Sequence, residues 1–306
     1  MIFTIRHRTT YRYSTSVLLG PHRLMTRPRG SFDMRLIKAE LATTPPATLR
    51  WHHDPLGNAI AIADFHGETD ILDIVSTLVV ERFESTVPFF THPAATAFPI
   101  AYQGDDLAVL EAFMTPLTPD ADGVVDGFMQ DILDAAGTQG LAFLDGLNQR
   151  IHERVAYSFR WEEGTQDPVD TIRWQSGSCR DMAWLFVECA RRAGFAARFV
   201  TGYLYDQATD LGAGGLTGGG ATHAWAEVFI PETGWVEYDP TNRLVAGEAL
   251  LRVAVARSPG QASPISGSYT GPTGAAHPVE VEVSVTSGTD MQTETDPVPV
   301  DLPSAA

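Results

Sequence analysis

The chain has almost no cysteine. Its 306 residues contain two, Cys179 and Cys189. Both fall on one helical pattern, where ten residues of rise put them about 15 Å apart. That is too far for a disulfide, so a disulfide scaffold is excluded and a reducing, cytoplasmic compartment is expected. Basic residues are also scarce: 21 Lys and Arg against 38 Asp and Glu give a net charge of −17. A nucleic-acid binder needs a basic footprint, and an anionic membrane surface selects for one too, so neither partner is expected. Runs of about 18 apolar residues are missing, which excludes a spanning helix. The opening MIFTIRHRTTYRYS alternates and shows no apolar leader core. Neither GxGxxG nor GxxxxGK[ST] occurs in the glycine-rich stretch DQATDLGAGGLTGGGAT, so it is not read as a phosphate cradle. Adjacent His52, His53 and Asp54 do not make a closed zinc site, and no metal or cofactor is expected.

What is present divides along the chain. At about 150 residues per domain the length suggests two. Residues 1–85 read as β, with alternation from Ile2 to Tyr13 and turn signals at short intervals, and predict a small sandwich. The arginines clustered in this part (Arg6, Arg8, Arg12, Arg23, Arg27, Arg29) are expected on a solvated sheet face. Residues 86–104 carry several prolines and no period, and predict a linker. Residues 105–250 form the expected catalytic core. Leu107, Leu110 and Phe113 share one helical face, as do Val124, Phe128, Ile132 and Leu133. A third helix is marked by Phe143, Leu144, Leu147, Ile151 and Val155. A helix beginning at Cys179 and stopping at Gly194 follows, then three strand patterns, ARFVTGYLYD, HAWAEVFIP and GWVEYDPT. Helices followed by strands predict an α+β fold with an antiparallel sheet. Residues 251–286 are expected to complete that core with strands, and residues 287–306 to form a disordered acidic tail.

The chemistry concentrates at three residues. Cys179 follows the small-residue turn Ser176-Gly177-Ser178 and opens a helix, where unpaired N–H groups favour an anion and a thiol can act as nucleophile. His223 opens a strand after the glycine-rich stretch and is the candidate base. Asp239 ends the next strand, where it could hold the imidazole in the useful tautomer. A tetrahedral oxyanion needs donors: the backbone N–H of Cys179 is one, and Gln175 and Trp174 are the side-chain candidates. Each residue alone has an ordinary explanation: a buried thiol, a strand histidine, a turn carboxylate. Cys189, mid-helix on the apolar face, is assigned to the core.

The stretches GSCRDMAWL, RRAGFAARFVTGYLY and THAWAEVFIPETGWVEYDPTN resemble the core of the bacterial transglutaminase-like superfamily, whose members are often described as cysteine proteases. IRHRTTYRYSTSVLLGPHRLMTRPRG with HDPLGNAIAIADF is similar to the β domain found before that core. LLRVAVARSPGQASPISGSYTG and VEVEVSV resemble its C-terminal segment. The resemblance implies a papain-like α+β core and a catalytic set at Cys179, His223 and Asp239. It implies a peptide or protein substrate and a thioester acyl-enzyme, with hydrolysis of amide bonds the leading expectation. Transamidation by an amine acceptor is the alternative, and a non-catalytic protein-binding module is the third reading.

Overall fold

The computed structural model describes residues 1–83, 98–160, 164–210, 215–217 and 222–288. Six strands open the chain: β1 (Ile2–Leu19), β2 (His22–Arg27), β3 (Met34–Thr44), β4 (Ala47–His53), β5 (Ala59–Phe65) and β6 (Glu68–Arg82). The alternation read in β1 has the expected result: Phe3, Ile5, His7 and Thr9 turn inward. β1 pairs β6, which pairs β3; β2, β5 and β4 form the second sheet. Phe3, Ile5, Leu78 and Val80 of the first sheet meet Met25 and Ile60 of the second. The arginine cluster is partly absorbed on the surface: Arg8 pairs with Asp73 at 2.8 Å and Arg27 lies over the Trp51 ring. Asp54 accepts the backbone N–H groups of Leu56 and Asn58, so it closes the DPLGN turn.

The core follows as α1 (Gly104–Met114), α2 (Val124–Ala136), α3 (Gly140–Arg154), β7 (Ala156–Tyr157), α4 (Pro168–Trp174), β8 (Ser176–Gly177), α5 (Cys179–Arg192), β9 (Ala197–Leu204), α6 (Gln207–Asp210), β10 (Thr222–Ile230), β11 (Gly234–Asp239), β12 (Leu244–Val245) and β13 (Leu250–Ala256). The core sheet runs β12-β11-β10-β9-β13, all antiparallel. The fold is thus α+β behind an all-β region. α5 is the central helix. Ser178 donates both its N–H and its hydroxyl to Asp181, which starts it; Gly194, at φ 88°, ends it. Met182, Leu185, Phe186, Cys189 and Ala190 are buried against the sheet and α3, each large apolar side chain contributing roughly 1.5–3 kcal/mol.

Two expectations change. Most of the linker expected at 86–104 lies outside the described residues, but its end is packed on the core. The Phe98 ring stacks on Phe143 and Phe195, and the Tyr102 hydroxyl donates to the Phe229 carbonyl at 2.8 Å. Residues 251–286 do not all complete the core. β13 pairs with β9, whereas β14 (Ile265–Ser266), β15 (Tyr269–Thr270) and β16 (Glu280–Ser287) return to β2 and β1. The physical reason is an open edge. β1 presents unpaired backbone groups beyond β6, and the alternating β16 covers them from Phe3 to Thr10. The expected tail lies outside the described residues from 289 onward.

Candidate active site

The first turn of α5 carries Cys179, 7% exposed. Its position depends on Asp181, which is fully buried and holds four donors. Besides the two from Ser178, Arg160 donates at 2.9 Å and the Gln166 N–H at 2.6 Å. Gly177 has to be glycine, because a Cβ there would meet the Asp181 Cβ at 2.9 Å. Removing this carboxylate breaks its ion pair with Arg160 and uncaps the helix. Asp181→Ala is expected to cost about 3–5 kcal/mol, against about 1 kcal/mol for Ser178→Ala. Urea unfolding of the two variants checks the order; equal losses would mean the carboxylate is not the anchor.

β10 and β11 bring His223 and Asp239 together. Alternation places His223, Trp225 and Glu227 on one face of β10, and the register sets Glu227 against Glu237 two residues before Asp239. The His223 Nε2 lies 2.8 Å from Asp239 Oδ2. Asp239 also accepts the Thr241 N–H at 2.9 Å and the Asn242 amide at 2.9 Å. Asn242 reaches further: its Oδ1 accepts the Thr217 N–H at 2.8 Å and its amide donates to the Thr217 carbonyl at 3.1 Å. It thereby ties the glycine-rich stretch to the carboxylate.

The imidazole is sealed, with the Trp225 ring at 6.1 Å. Burial alone would lower its pKa; the Asp239 charge and hydrogen bond, with help from Cys179, outweigh burial and push it up to about 10. Burial would raise the Asp239 pKa, but His223 and the neighbouring donors hold it below the usual carboxylate value. The Cys179 thiol is within interaction range of the ring. It is not aligned with Nδ1, which has no hydrogen-bond partner among the described residues. Loose contacts of this kind are common before substrate binds.

These shifts set a stability window. The His223 contribution is complete below its unfolded pKa of 6.5 and fades as pH rises towards about 10. The Asp239 contribution is complete above 3.8 and is lost as pH falls. The stability gap between the natural chain and Asp239→Asn should be widest between these limits and shrink above pH 6.5. Urea titrations at stepped pH measure it; a gap that widens above pH 7 contradicts the assignment.

Two neighbours of the thiol were not read from sequence. Tyr157 lies on β7, whose parallel pairing sets it beside Gly177. Its phenol pKa is raised by burial and by Cys179. Arg180 is half-buried, donates to the Pro259 carbonyl at 2.8 Å and lies over the Phe199 ring, and its charge acts on Cys179. The motif RD after the cysteine was the available signal for Arg180; nothing local pointed to Tyr157. Of the side chains expected to serve the oxyanion, Trp174 is 63% exposed at the end of α4 and Gln175 is exposed in a left-handed conformation. Cys189 is fully buried in the core.

Among the described residues no helix is long and apolar enough to cross a membrane. Comparison with known proteins adds the lineage. Residues 3–81 match the bacterial transglutaminase-like N-terminal region and residues 129–240 match the transglutaminase-like superfamily core. An uncharacterized Mycobacterium tuberculosis protein is 27% identical over 296 residues, covering 92% of each chain. A Pseudomonas aeruginosa protein-glutamine gamma-glutamyltransferase is 34% identical over 119 residues, 38% of this chain and 18% of that protein. The crystal structure of a Cytophaga hutchinsonii protein, described provisionally as a cysteine protease, superposes with a TM-score of 0.70 at 19% identity. It covers 94% of this chain and 92% of that one, so the fold is shared end to end. The chain belongs to the transglutaminase-like superfamily, with the family's bacterial N-terminal region ahead of its core.

Proposed function

We propose that the protein is a thiol-dependent acyl-transfer enzyme acting on amide or peptide bonds, with Cys179 as nucleophile, His223 as acid and base, and Asp239 as the group that orients and charges the ring. One observation carries the reading: the imidazole is held through Nε2 by a buried carboxylate, leaving Nδ1 unpartnered beside the thiol. The Cys179 sulfur attacks the carbonyl carbon, and the proton on His223 Nδ1 passes to the departing amine, leaving a thioester. Water then attacks the thioester, His223 takes its proton, and the acid and free thiol are released. The oxyanion sits against the Cys179 N–H at the head of α5 and the Tyr157 phenol. The unbridged thiols suit a reducing, cytoplasmic setting.

Hydrolysis is the leading reaction. The similarity to a glutamyltransferase supports the second reading, in which a primary amine replaces water. Incubation with a peptide library, with and without a primary amine, followed by mass spectrometry, separates them. Acid products that persist with amine present mark a hydrolase; amine conjugates mark a transamidase. No turnover and no adduct on Cys179 would sink both.

A further inference from the structure

Arg29, of the N-terminal cluster, has no carboxylate partner among the described residues and faces a cavity. A cleft of about 50 Å³ lies at the seam between the N-terminal sandwich and the core sheet. Arg29, Ser31 and Asn58 line one side; Arg198, Arg252 and Val255 line the other. Arg198 and Arg252 share Glu227 at 2.6 and 2.7 Å, through Nε and Nη2 of the first and Nη1 of the second. Among the described residues, Nη1 of Arg198 and Nε of Arg252 have no hydrogen-bond partner. Arg29 is exposed and reaches only the Leu56 carbonyl, at 3.5 Å.

The charges around this cleft do not balance. Arg29, Arg82, Arg198 and Arg252 face Asp33, Glu227 and Glu237. Arg82 donates to Asp33 and Glu237, which also lie 3.6 and 3.7 Å from Arg252, and Arg252 Nη2 donates to the Ser31 hydroxyl at 3.4 Å. Burial and the charge of Glu227 push the Glu237 pKa up, which weakens Glu237 as a counter-charge. Arg29 and Arg252 both act on Arg198, which places the three guanidiniums within electrostatic range of one another. This is a cationic focus in a chain of net charge −17, where a mobile anion is otherwise repelled.

We propose that this cleft binds a compact oxyanion, a phosphate or a carboxylate group, between Arg29 of the sandwich and Arg198 and Arg252 of the core sheet. Guanidinium groups suit such a ligand because their planar donor forks match its oxygens in pairs. The bound anion would bridge the two parts of the fold and raise its unfolding midpoint.

Calorimetric titration of the full chain with inorganic phosphate, and separately with acetate, at constant ionic strength held by chloride, tests this. Saturable binding of either probe is expected, weakened at least about tenfold in Arg29→Glu and unchanged in the charge-matched surface variant Arg12→Glu. Tighter binding of phosphate than acetate identifies the site as one for phosphate; the reverse order identifies it as one for a carboxylate. The unfolding midpoint of Arg29→Glu in chloride alone should equal that of the natural chain, which separates lost binding from lost folding. No saturable binding of either probe, or equal weakening in both variants, overturns the proposal. The outcome does not depend on the reaction at Cys179.

Discussion

Asp239→Asn should slow acylation of Cys179 by about 10³-fold or more, with far-UV circular dichroism unchanged. The expected loss comes from charge. Asp239 is what keeps a fully buried imidazole protonated up to about pH 10; without it burial dominates and drives the ring neutral. Asparagine also misfits the local donors. One carboxylate oxygen accepts Thr241 N–H, and the other accepts both Nε2 of His223 and the Asn242 amide. An amide can offer its oxygen to only one side. Its NH₂ must face the Thr241 N–H, or it must face His223 and demand the wrong tautomer. Single-turnover release of p-nitrophenol from p-nitrophenyl acetate reads the acylation step without knowledge of the natural substrate. A rate within tenfold of the natural chain would remove Asp239 from the chemistry.

How much of this could be read from sequence varies by element, and the reasons are physical. α5 is legible because its start and stop are local: small residues before Cys179 and a glycine at 194. The proximity of His223 and Asp239 followed from two adjacent strands with a short turn between them. α2 was placed correctly but rotated. The pattern names Val124, Phe128, Ile132 and Leu133; Ile132 is buried and Phe128 and Leu133 pack at the core's edge, but Val125 and Met129 take the other inward positions, because a helix with apolar residues on several faces is turned by its neighbours. In α1, Leu107 was assigned inward and is 42% exposed. Glu188 and Arg191 carry no periodic signal in the sequence, yet both are buried. Glu188 accepts the N–H groups of Leu117 and Thr118, and Arg191 donates to the Ala197 and Arg257 carbonyls. Leu117, Thr118 and Arg257 lie far away in the chain, as do the partners of β14, β15 and β16. Tyr157 was missed for the same reason: a two-residue strand has no period, and only its pairing with β8 brings it to the thiol.

The two cysteines provide the second large effect, since they share a helix and differ only in setting. At pH 6, iodoacetamide should alkylate Cys179 at least about 10²-fold faster than Cys189. Cys189 is sealed in the core, and burial pushes its thiol pKa up, so the reactive form is scarce as well as unreachable. Cys179 sits at the positive end of α5, between the charge of Arg180 and an imidazole that keeps its proton across this pH range. The preference should collapse in Asp239→Asn because the imidazolium is lost, while the slow rate at Cys189 stays the same. That pairing separates activation from simple access: a variant that left Cys179 equally reactive would show that exposure alone had set the rate. Peptide mapping by mass spectrometry after timed quenching gives both rates from one reaction. Equal labelling of the two cysteines in the natural chain would mean that the head of α5 and its histidine do not activate the thiol.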